Sequence, residues 1–403
     1  MTMTATEKFV SDLCRKTFLP FWSFPNPIGK RLDKELCDIL VVCDPDIVIF
    51  SVKEINIKES GDAEVDHQRW ERNAIMESVS QIYGAERIIS QREEILLNDK
   101  STSIRLPEKG IRNVYRVAVA FGRGDRFHLK FGDFGKGFVH VFDERSIKII
   151  LEELDTVTDF VDFLKAKEEF VRKGIQTMAF SGEDYLAMYL QNRFEIDEGV
   201  DLLLIDSDMW VGYSHSTEYL KEKEADRVSY LWDKLIDGLC ADFESNNLLN
   251  EIKRHELELG IRLMNKETRF GRRQMSRTLM GVLGDGVTKP TVKARIALSE
   301  LESSPIYVFM VRNTEDRGVA SKELDLRCLV AKSLFPERTK VIGLASEPYQ
   351  VGKGYSLDLI YMDLSDWDDA RQAQAEKIKD ELGYFKAPSM SRWKPDGTRI
   401  QEK

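Results

Sequence analysis

The chain has 403 residues and a net charge of −10, and charged residues make up 32% of it. At roughly 150 residues per domain, this length predicts two to three domains. The composition is typical of a globular protein. It excludes a disordered chain, a collagen-like chain and a protein that is basic over its whole surface. A local basic patch that binds nucleic acid stays compatible with it.

Cysteines and apolar segments bear on the location of the protein. Neither the odd number of cysteines nor their spacing fits a disulfide framework or a zinc ribbon, so a reducing compartment is expected. They are Cys14, Cys37, Cys43, Cys240 and Cys328. The first residues lack a signal-peptide pattern, and no segment approaches the roughly 20 apolar residues of a membrane span. We expect a cytoplasmic protein with no membrane partner.

Residues 1–150 predict an α/β domain. A short helix and an aromatic, Pro-rich segment fill residues 1–30. Two short runs rich in Val and Ile, Cys37–Cys43 and Ile47–Val52, are typical of a buried β-hairpin. Residues at helical spacing predict a helix over 66–87. Strands are predicted after it, over 113–121, 126–131 and 138–142.

Residues 151–285 predict a mainly helical middle region. Its first helix is expected to begin at the capping residue Thr156 and to end near Gly174, which suits the position after a helix end. The pattern from 183 to 280 is mostly helical, with one strand candidate over 201–206.

Residues 286–403 predict a small C-terminal α/β domain that ends in a polar tail. The segment 281–304, with its Gly, Lys, Pro and Ser residues, is typical of a linker. Strands are predicted over 305–312, 340–346 and 355–363, and helices over 320–335 and 365–382. The fold class expected for the whole chain is mixed α/β. A protein partner for this last domain and the oligomeric state are left open.

The residues with the clearest chemical pattern surround the predicted hairpin. Asp38 lies at the start of one strand, and Lys53 lies near the end of the other. Strand alternation puts Ser51 and Lys53 on one face and Val52 and Glu54 on the other. Carboxylates beside a lysine can hold a hard divalent ion. Such an ion polarises a phosphate and lowers the pKa of a bound water, and the lysine can stabilise the charge that develops.

This order of acid, apolar strand, turn, apolar strand and lysine, followed by a helix with Gln81, resembles the PD-(D/E)xK nuclease superfamily. That superfamily is also called restriction-endonuclease-like. The resemblance covers residues 25–145 and implies a restriction-endonuclease-like α/β core. It also implies a metal-dependent nuclease that hydrolyses DNA phosphodiester bonds with Mg²⁺ or Mn²⁺. A role in bacterial defence or DNA processing is associated with the family.

The resemblance implies a role for each matching residue. Asp38 would bind the metal, Lys53 would be the catalytic lysine, and Gln81 would support the site. Glu35, just upstream, and the carbonyl of Val52 are candidates for further metal ligands. Each residue also has an ordinary structural interpretation: a strand cap or arginine partner for Asp38, an edge charge for Lys53, a surface charge for Glu35, and a core hydrogen-bonding side chain for Gln81.

The sequence departs from the family pattern at Ser51, which occupies the place of the second acid. Serine is a poor Mg²⁺ ligand. Either Glu35 or Glu54 takes the role of the missing acid, or the domain has lost its cleavage activity. In the second case it only binds nucleic acid or a partner protein and does not cut. Glu54 would need a β-bulge to reach the Lys53 face. A scaffold protein with no nucleic-acid role is a third interpretation.

A basic cluster stands out against the acidic background. Phosphate contacts need such clusters, so we predict a contact with nucleic acid or with an acidic partner here. Its members are Lys266, Arg269, Arg272, Arg273 and Arg277. Glu267 is the only acid in 266–283, which limits pairing within the segment. The alternative is a solvated helix face whose charges pair with nearby acids.

Overall fold

The computed structural model describes residues 3–29, 34–56, 60–122, 129–178, 181–197, 199–205, 208–245, 251–288, 294–299, 301, 305–312, 314, 316–348, 357–386, 392–393 and 399–400. Of the described residues, 52% are helical and 21% lie in strands, so the chain is of the mixed α/β class, which confirms the predicted fold class. It divides into two compact units, Met1–Ser216 and Thr217–Lys403. No helix in these ranges is both long and apolar enough to cross a bilayer.

The first unit is built on a six-stranded sheet in the order β1-β2-β3-β6-β8-β7. The strands of this unit are β1 Ser23–Pro25, β2 Ile39–Cys43, β3 Asp46–Glu54, β4 Glu94–Leu96, β5 Ser103–Arg105, β6 Asn113–Phe121, β7 Gly132–Asp133, β8 Phe138–Phe142, β9 Gln176–Met178 and β10 Leu202–Leu204. The predicted hairpin is present as the antiparallel pair β2 and β3, and β3, β6 and β8 run parallel. These central strands are mostly buried, as expected for parallel strands covered on both faces.

Helices cover both faces of this sheet. The helices of this unit are α1 Ala5–Phe18, α2 Ala63–Trp70, α3 Glu77–Ile89, α4 Glu144–Glu153, α5 Val157–Arg172, α6 Gly182–Asn192 and α7 Met209–Ser214. A π-helical segment, Glu71–Met76, joins α2 to α3. On one face α3 packs against β3 and β6. On the other face Phe50 of β3 contacts the rings of Phe18 from α1 and Phe160 from α5.

Local signals in the sequence explain where several of these elements begin and end. The side chain of Thr156 accepts a hydrogen bond from the amide of Asp159 at 3.1 Å, so α5 begins as predicted. Gly174 follows this helix with a φ of 75°, a conformation that glycine adopts without strain. The predicted strand over 126–131 is wrong in its described part, because residues 129–131 lie outside any strand. Residues 126–128 lie outside the described residues.

The second unit contains a four-stranded sheet in the order β11-β12-β13-β14. The strands of this unit are β11 Ala294–Leu298, β12 Ile306–Val311, β13 Lys340–Ser346, β14 Leu357–Asp363, β15 Arg392–Trp393 and β16 Arg399–Ile400, and the last two pair with each other. Its helices are α8 Thr217–Asp226, α9 Tyr230–Ser245, α10 Glu251–Asn265, α11 Arg269–Thr288, α12 Arg317–Leu334 and α13 Asp369–Leu382. Strands β12 and β13 are parallel and are connected through α12. α10 and α11 contact the sheet, and so does α12, against which α13 packs.

The units divide the chain differently from the predicted boundaries at 150 and 285. Helices α4 to α6 belong to the first unit, whereas α9 to α11 belong to the second. The segment predicted as a linker, 281–304, contains the end of α11 and the edge strand β11. The apolar face of a helix must be buried against another element. The helical middle is therefore shared between the two units.

Candidate functional site

The hairpin register brings the predicted site residues to one face of the first sheet. Ile39 lies opposite Phe50 in the antiparallel pair, so Asp38, one residue earlier, lies beside Ser51. Alternation along β3 places Lys53 on the same face as Ser51. Helix α3, which carries Gln81, packs over this strand. The hairpin and the helix therefore bring Asp38, Ser51, Lys53 and Gln81 together where α3 packs on β3.

Hydrogen bonds hold the Asp38 carboxylate in place. Asp38 is 2% exposed, and its Oδ2 accepts from the backbone N–H of Val52 at 2.5 Å. Its Oδ1 accepts from Nε2 of Gln81 at 3.3 Å. Bonds to an ionised acceptor are stronger than bonds between neutral groups. Val52 was predicted as a carbonyl ligand, but its visible contribution is the N–H that orients Asp38.

Glu35 lies next to Asp38 and shares its environment. Burial, a side-chain hydrogen bond with Asp38 and the negative charges of Asp38 and Glu7 together raise the pKa of Glu35 to about 8. The positive charge of Lys53 acts in the opposite direction. Two carboxyl groups in contact retain a proton because both cannot ionise cheaply at close range. Glu35, Asp38 and Lys53 therefore form one electrostatic cluster.

The two acids that could replace the missing one at position 51 behave differently. Glu35 is half-buried beside Asp38, whereas Glu54 is exposed at the end of β3. β3 continues through Ser51 and Lys53 in register with β6, without a bulge that would turn Glu54 toward Lys53. Of the two, Glu35 is the acid that the fold brings to the site.

Glu7 is a residue that the sequence reasoning missed. It lies in the first turn of α1 and accepts a hydrogen bond from the backbone N–H of Thr4 at 2.8 Å, as part of a capping box. Its charge contributes to the raised pKa of Glu35. The Thr-x-x-Glu spacing explains this residue fully as a helix cap. Only the folded position of α1 reveals that it also acts on the site.

Three of the five members of the basic cluster predicted to contact nucleic acid lie in the interior of the second unit. Arg269, Arg272 and Arg273 are buried, and Arg272 has no exposed surface at all. Asp233 bonds Arg272 at 2.6 Å and Arg269 at 2.8 Å, while Asp226 bonds Arg273. Buried guanidinium groups bonded to carboxylates are not accessible to phosphate. The acids come from α8 and α9, outside the segment in which the sequence reasoning counted them.

The other two members of the basic cluster keep part of their surface. Lys266 and Arg277 are half-buried, so a contact with nucleic acid through them stays a prediction. Burial lowers the pKa of Arg277, and the neighbouring Arg273 lowers it further. Two half-buried cations contribute far less to phosphate binding than the five exposed ones that were expected.

The donor set at the site decides which metal it could hold. Within the described ranges, no group of three or more His, Cys, Asp and Glu side chains could hold a metal ion. Mg²⁺ is commonly bound through one or two carboxylates, with water and substrate phosphates as its other ligands. Glu35 and Asp38 provide two carboxylates in contact. The residues therefore fit Mg²⁺ or Mn²⁺ of this kind, although they do not form a closed cage of protein ligands.

Comparison of the chain with protein-family models, curated proteins and solved structures finds no match. A conclusion about function therefore depends on the fold and on the chemistry of the site.

Proposed function

We propose that the chain is a metal-dependent nuclease that hydrolyses phosphodiester bonds in DNA. The observation that supports this proposal is the meeting of Asp38, Glu35, Lys53 and Gln81 at one place under α3. A carboxylate pair beside a lysine can hold a divalent ion and stabilise the charge that develops during phosphodiester hydrolysis. We propose a cytoplasmic location as well, since all five cysteines are free thiols, as is usual in a reducing compartment.

Each residue has a defined role in this proposal. Asp38 and Glu35 would hold Mg²⁺ or Mn²⁺, which polarises the phosphate and lowers the pKa of a bound water when it is present. Lys53 stabilises the negative charge that develops on the phosphate, or orients the attacking water. Gln81 and the N–H of Val52 keep the Asp38 carboxylate in one orientation, as outer-shell partners of metal ligands do.

Cleavage of supercoiled and linear DNA with Mg²⁺ or Mn²⁺ tests the proposal. We expect the wild type to cut, and we expect Lys53→Ala and Asp38→Asn to lower the rate by at least about 100-fold, as loss of a charge-stabilising group does. Glu54→Gln is the matched control, since Glu54 is the exposed neighbour of Lys53. Its rate should equal that of the wild type. Equal cutting by all four proteins would place the activity elsewhere or assign it to a contaminant.

A second candidate function is a nuclease-fold module that binds nucleic acid or a partner protein without cutting. The fully buried Ser51, which stands where the family has its second acid, favours it. In this case DNA binding would weaken as salt rises, but Mg²⁺ would cause no change that depends on Asp38. Titration of labelled DNA with wild type and Asp38→Asn, with and without Mg²⁺, separates the two functions.

A further inference from the structure

A chain of hydrogen bonds joins Ser51 to Asp38 through Gln81. Ser51 Oγ donates to Gln81 Oε1 at 3.0 Å, and Gln81 Nε2 donates to Asp38 Oδ1 at 3.3 Å. Ser51 is fully buried and Asp38 almost so. Hydrogen bonds are electrostatically stronger in such an environment than in water, and an unpaired group there is costly. The two ends of the Gln81 amide therefore have fixed partners.

The chemistry of these groups sets the donor-to-acceptor direction of the hydrogen bonds that join Ser51, Gln81 and Asp38. An amide has one accepting end and one donating end, whereas an ionised carboxylate only accepts hydrogen bonds. A hydroxyl that donates to Oε1 of Gln81 leaves the amide nitrogen to face Asp38. A carboxylate at position 51 would instead attract that nitrogen. The amide oxygen would then turn toward Asp38, and two acceptors would oppose each other.

We propose that Ser51 is a positioning residue that orients Gln81 and, through it, the metal-binding carboxylate of Asp38. The site then takes its second carboxylate from Glu35, and the serine at position 51 supports this different ligand set without being a ligand itself. The inference rests on the proposed function for the role of the metal. The hydrogen-bond chain itself can be measured in the metal-free protein.

The Mn²⁺ affinity of the full-length chain tests the proposal. Ser51→Ala and Ser51→Asp are both expected to weaken binding by about 10- to 100-fold, the range found for partners that orient metal ligands. If position 51 had only lost a ligand, Ser51→Ala would leave the affinity unchanged and Ser51→Asp would raise it. Either of these results would overturn the proposal.

A matched serine on the neighbouring helix controls for a general loss of stability. Ser78 is also fully buried, and its hydroxyl donates to the carbonyl of Ala74, in the π-helical segment before α3, at 2.8 Å. Ser78→Ala removes a buried hydroxyl but leaves intact the hydrogen bonds that join Ser51, Gln81 and Asp38. It should leave the Mn²⁺ affinity at the wild-type value. A loss equal to that of Ser51→Ala would show that any buried serine matters, and would overturn the proposal.

The order of the hydrogen bonds from Ser51 through Gln81 to Asp38 predicts that two substitutions will not have additive effects on Mn²⁺ affinity. Gln81→Leu should weaken Mn²⁺ binding as strongly as Ser51→Ala or more strongly. Adding Ser51→Ala to Gln81→Leu should have no further effect, because Ser51 acts on Asp38 only through Gln81. Two independent losses that add would overturn the proposal.

The side-chain amide of Gln81 reports on the positioning without any metal. Gln81→Leu identifies its Nε2 signals by their disappearance from a ¹⁵N spectrum of the metal-free chain. We expect these protons to be protected from exchange in the wild type and in Ser78→Ala, and to lose protection in Ser51→Ala. A wild type that binds no Mn²⁺ or cuts no DNA would refute the proposed function only. Protection that survives Ser51→Ala would refute the positioning role.

Discussion

Lys167 and His140 are buried in the first unit, on the face of the sheet that α5 covers. Lys167 is 1% exposed, and its Nζ lies 4.2 Å, 4.8 Å and 4.7 Å from the ring centroids of Phe131, Phe142 and Tyr185. Burial lowers its pKa to about 7. Burial also lowers the pKa of His140, as do the charges of Lys167 and Arg116. The aromatic faces attract the ammonium group but do not replace its lost hydration.

Replacing this lysine by methionine should stabilise the protein. Between pH 7 and 10.5 the unfolded chain binds a proton at Lys167 that the folded chain does not, because the folded pKa is about 7 and the ordinary value is 10.5. The free energy of unfolding of the wild type therefore rises with pH through this window. Lys167→Met should be more stable by roughly 2–4 kcal/mol at pH 7, and the difference should shrink toward pH 10.

Urea unfolding of wild type and Lys167→Met at several pH values checks this prediction. Lys165→Met is the control, since Lys165 is exposed on the same helix and its replacement should change stability little. A destabilised Lys167→Met would mean that the contacts of the ammonium group with the three rings outweigh its lost hydration. A difference that does not vary with pH would mean that Lys167 stays charged in the folded protein.

At the scale of secondary-structure elements, α9 and α11 are held together by a buried ionic contact. Asp233 on α9 accepts from both Arg269 and Arg272 on α11. Arg272 also donates to the carbonyls of Glu267 and Asn265, so its guanidinium group is well satisfied. Removing one partner of such a buried contact leaves an uncompensated charge, which typically costs more than the contact contributes.

Asp233→Ala should therefore lower the free energy of unfolding by about 3–5 kcal/mol. Two guanidinium groups would lose their shared carboxylate, and one of them, Arg272, has no access to water. Asp242→Ala, at an exposed position of the same helix, is the control and should change stability by less than about 0.5 kcal/mol. Chemical unfolding gives both numbers. Equal values for the two variants would show that the contact is dispensable.

Elements and site residues differ in how far the sequence predicts them. Period-two and helical patterns are local, so the β2–β3 hairpin, the helix around Gln81 and the shared face of Ser51 and Lys53 follow from the sequence. The effect of Glu7 on Glu35 is not local, because it requires the packed position of α1. The pairing of Arg272 with Asp233 likewise spans 39 residues, beyond any pattern read within one segment.

At the scale of the whole molecule, the residues of the proposed nuclease site all lie in one unit. Glu35, Asp38, Lys53 and Gln81 belong to Met1–Ser216, together with both helical layers that cover their sheet. The predicted three-part division missed this unit, because a helix in the sequence carries no sign of which sheet will bury its apolar face. The surviving DNA-binding candidates, Lys266 and Arg277, belong to the other unit.

A chain that ends at Ser216 should consequently fold and keep metal-dependent cleavage. The reason is that the six-stranded sheet, its helices and the four residues of the proposed nuclease site, Glu35, Asp38, Lys53 and Gln81, remain present. Circular dichroism and thermal unfolding check folding, and a cleavage assay compares the fragment with the full chain. If Lys266 and Arg277 do contact DNA, the fragment should cut at a similar maximal rate. Its DNA affinity should then depend less steeply on salt, because each lost phosphate contact lowers the slope by about one. A folded fragment that binds Mn²⁺ but no DNA would show that the second unit supplies the substrate contacts.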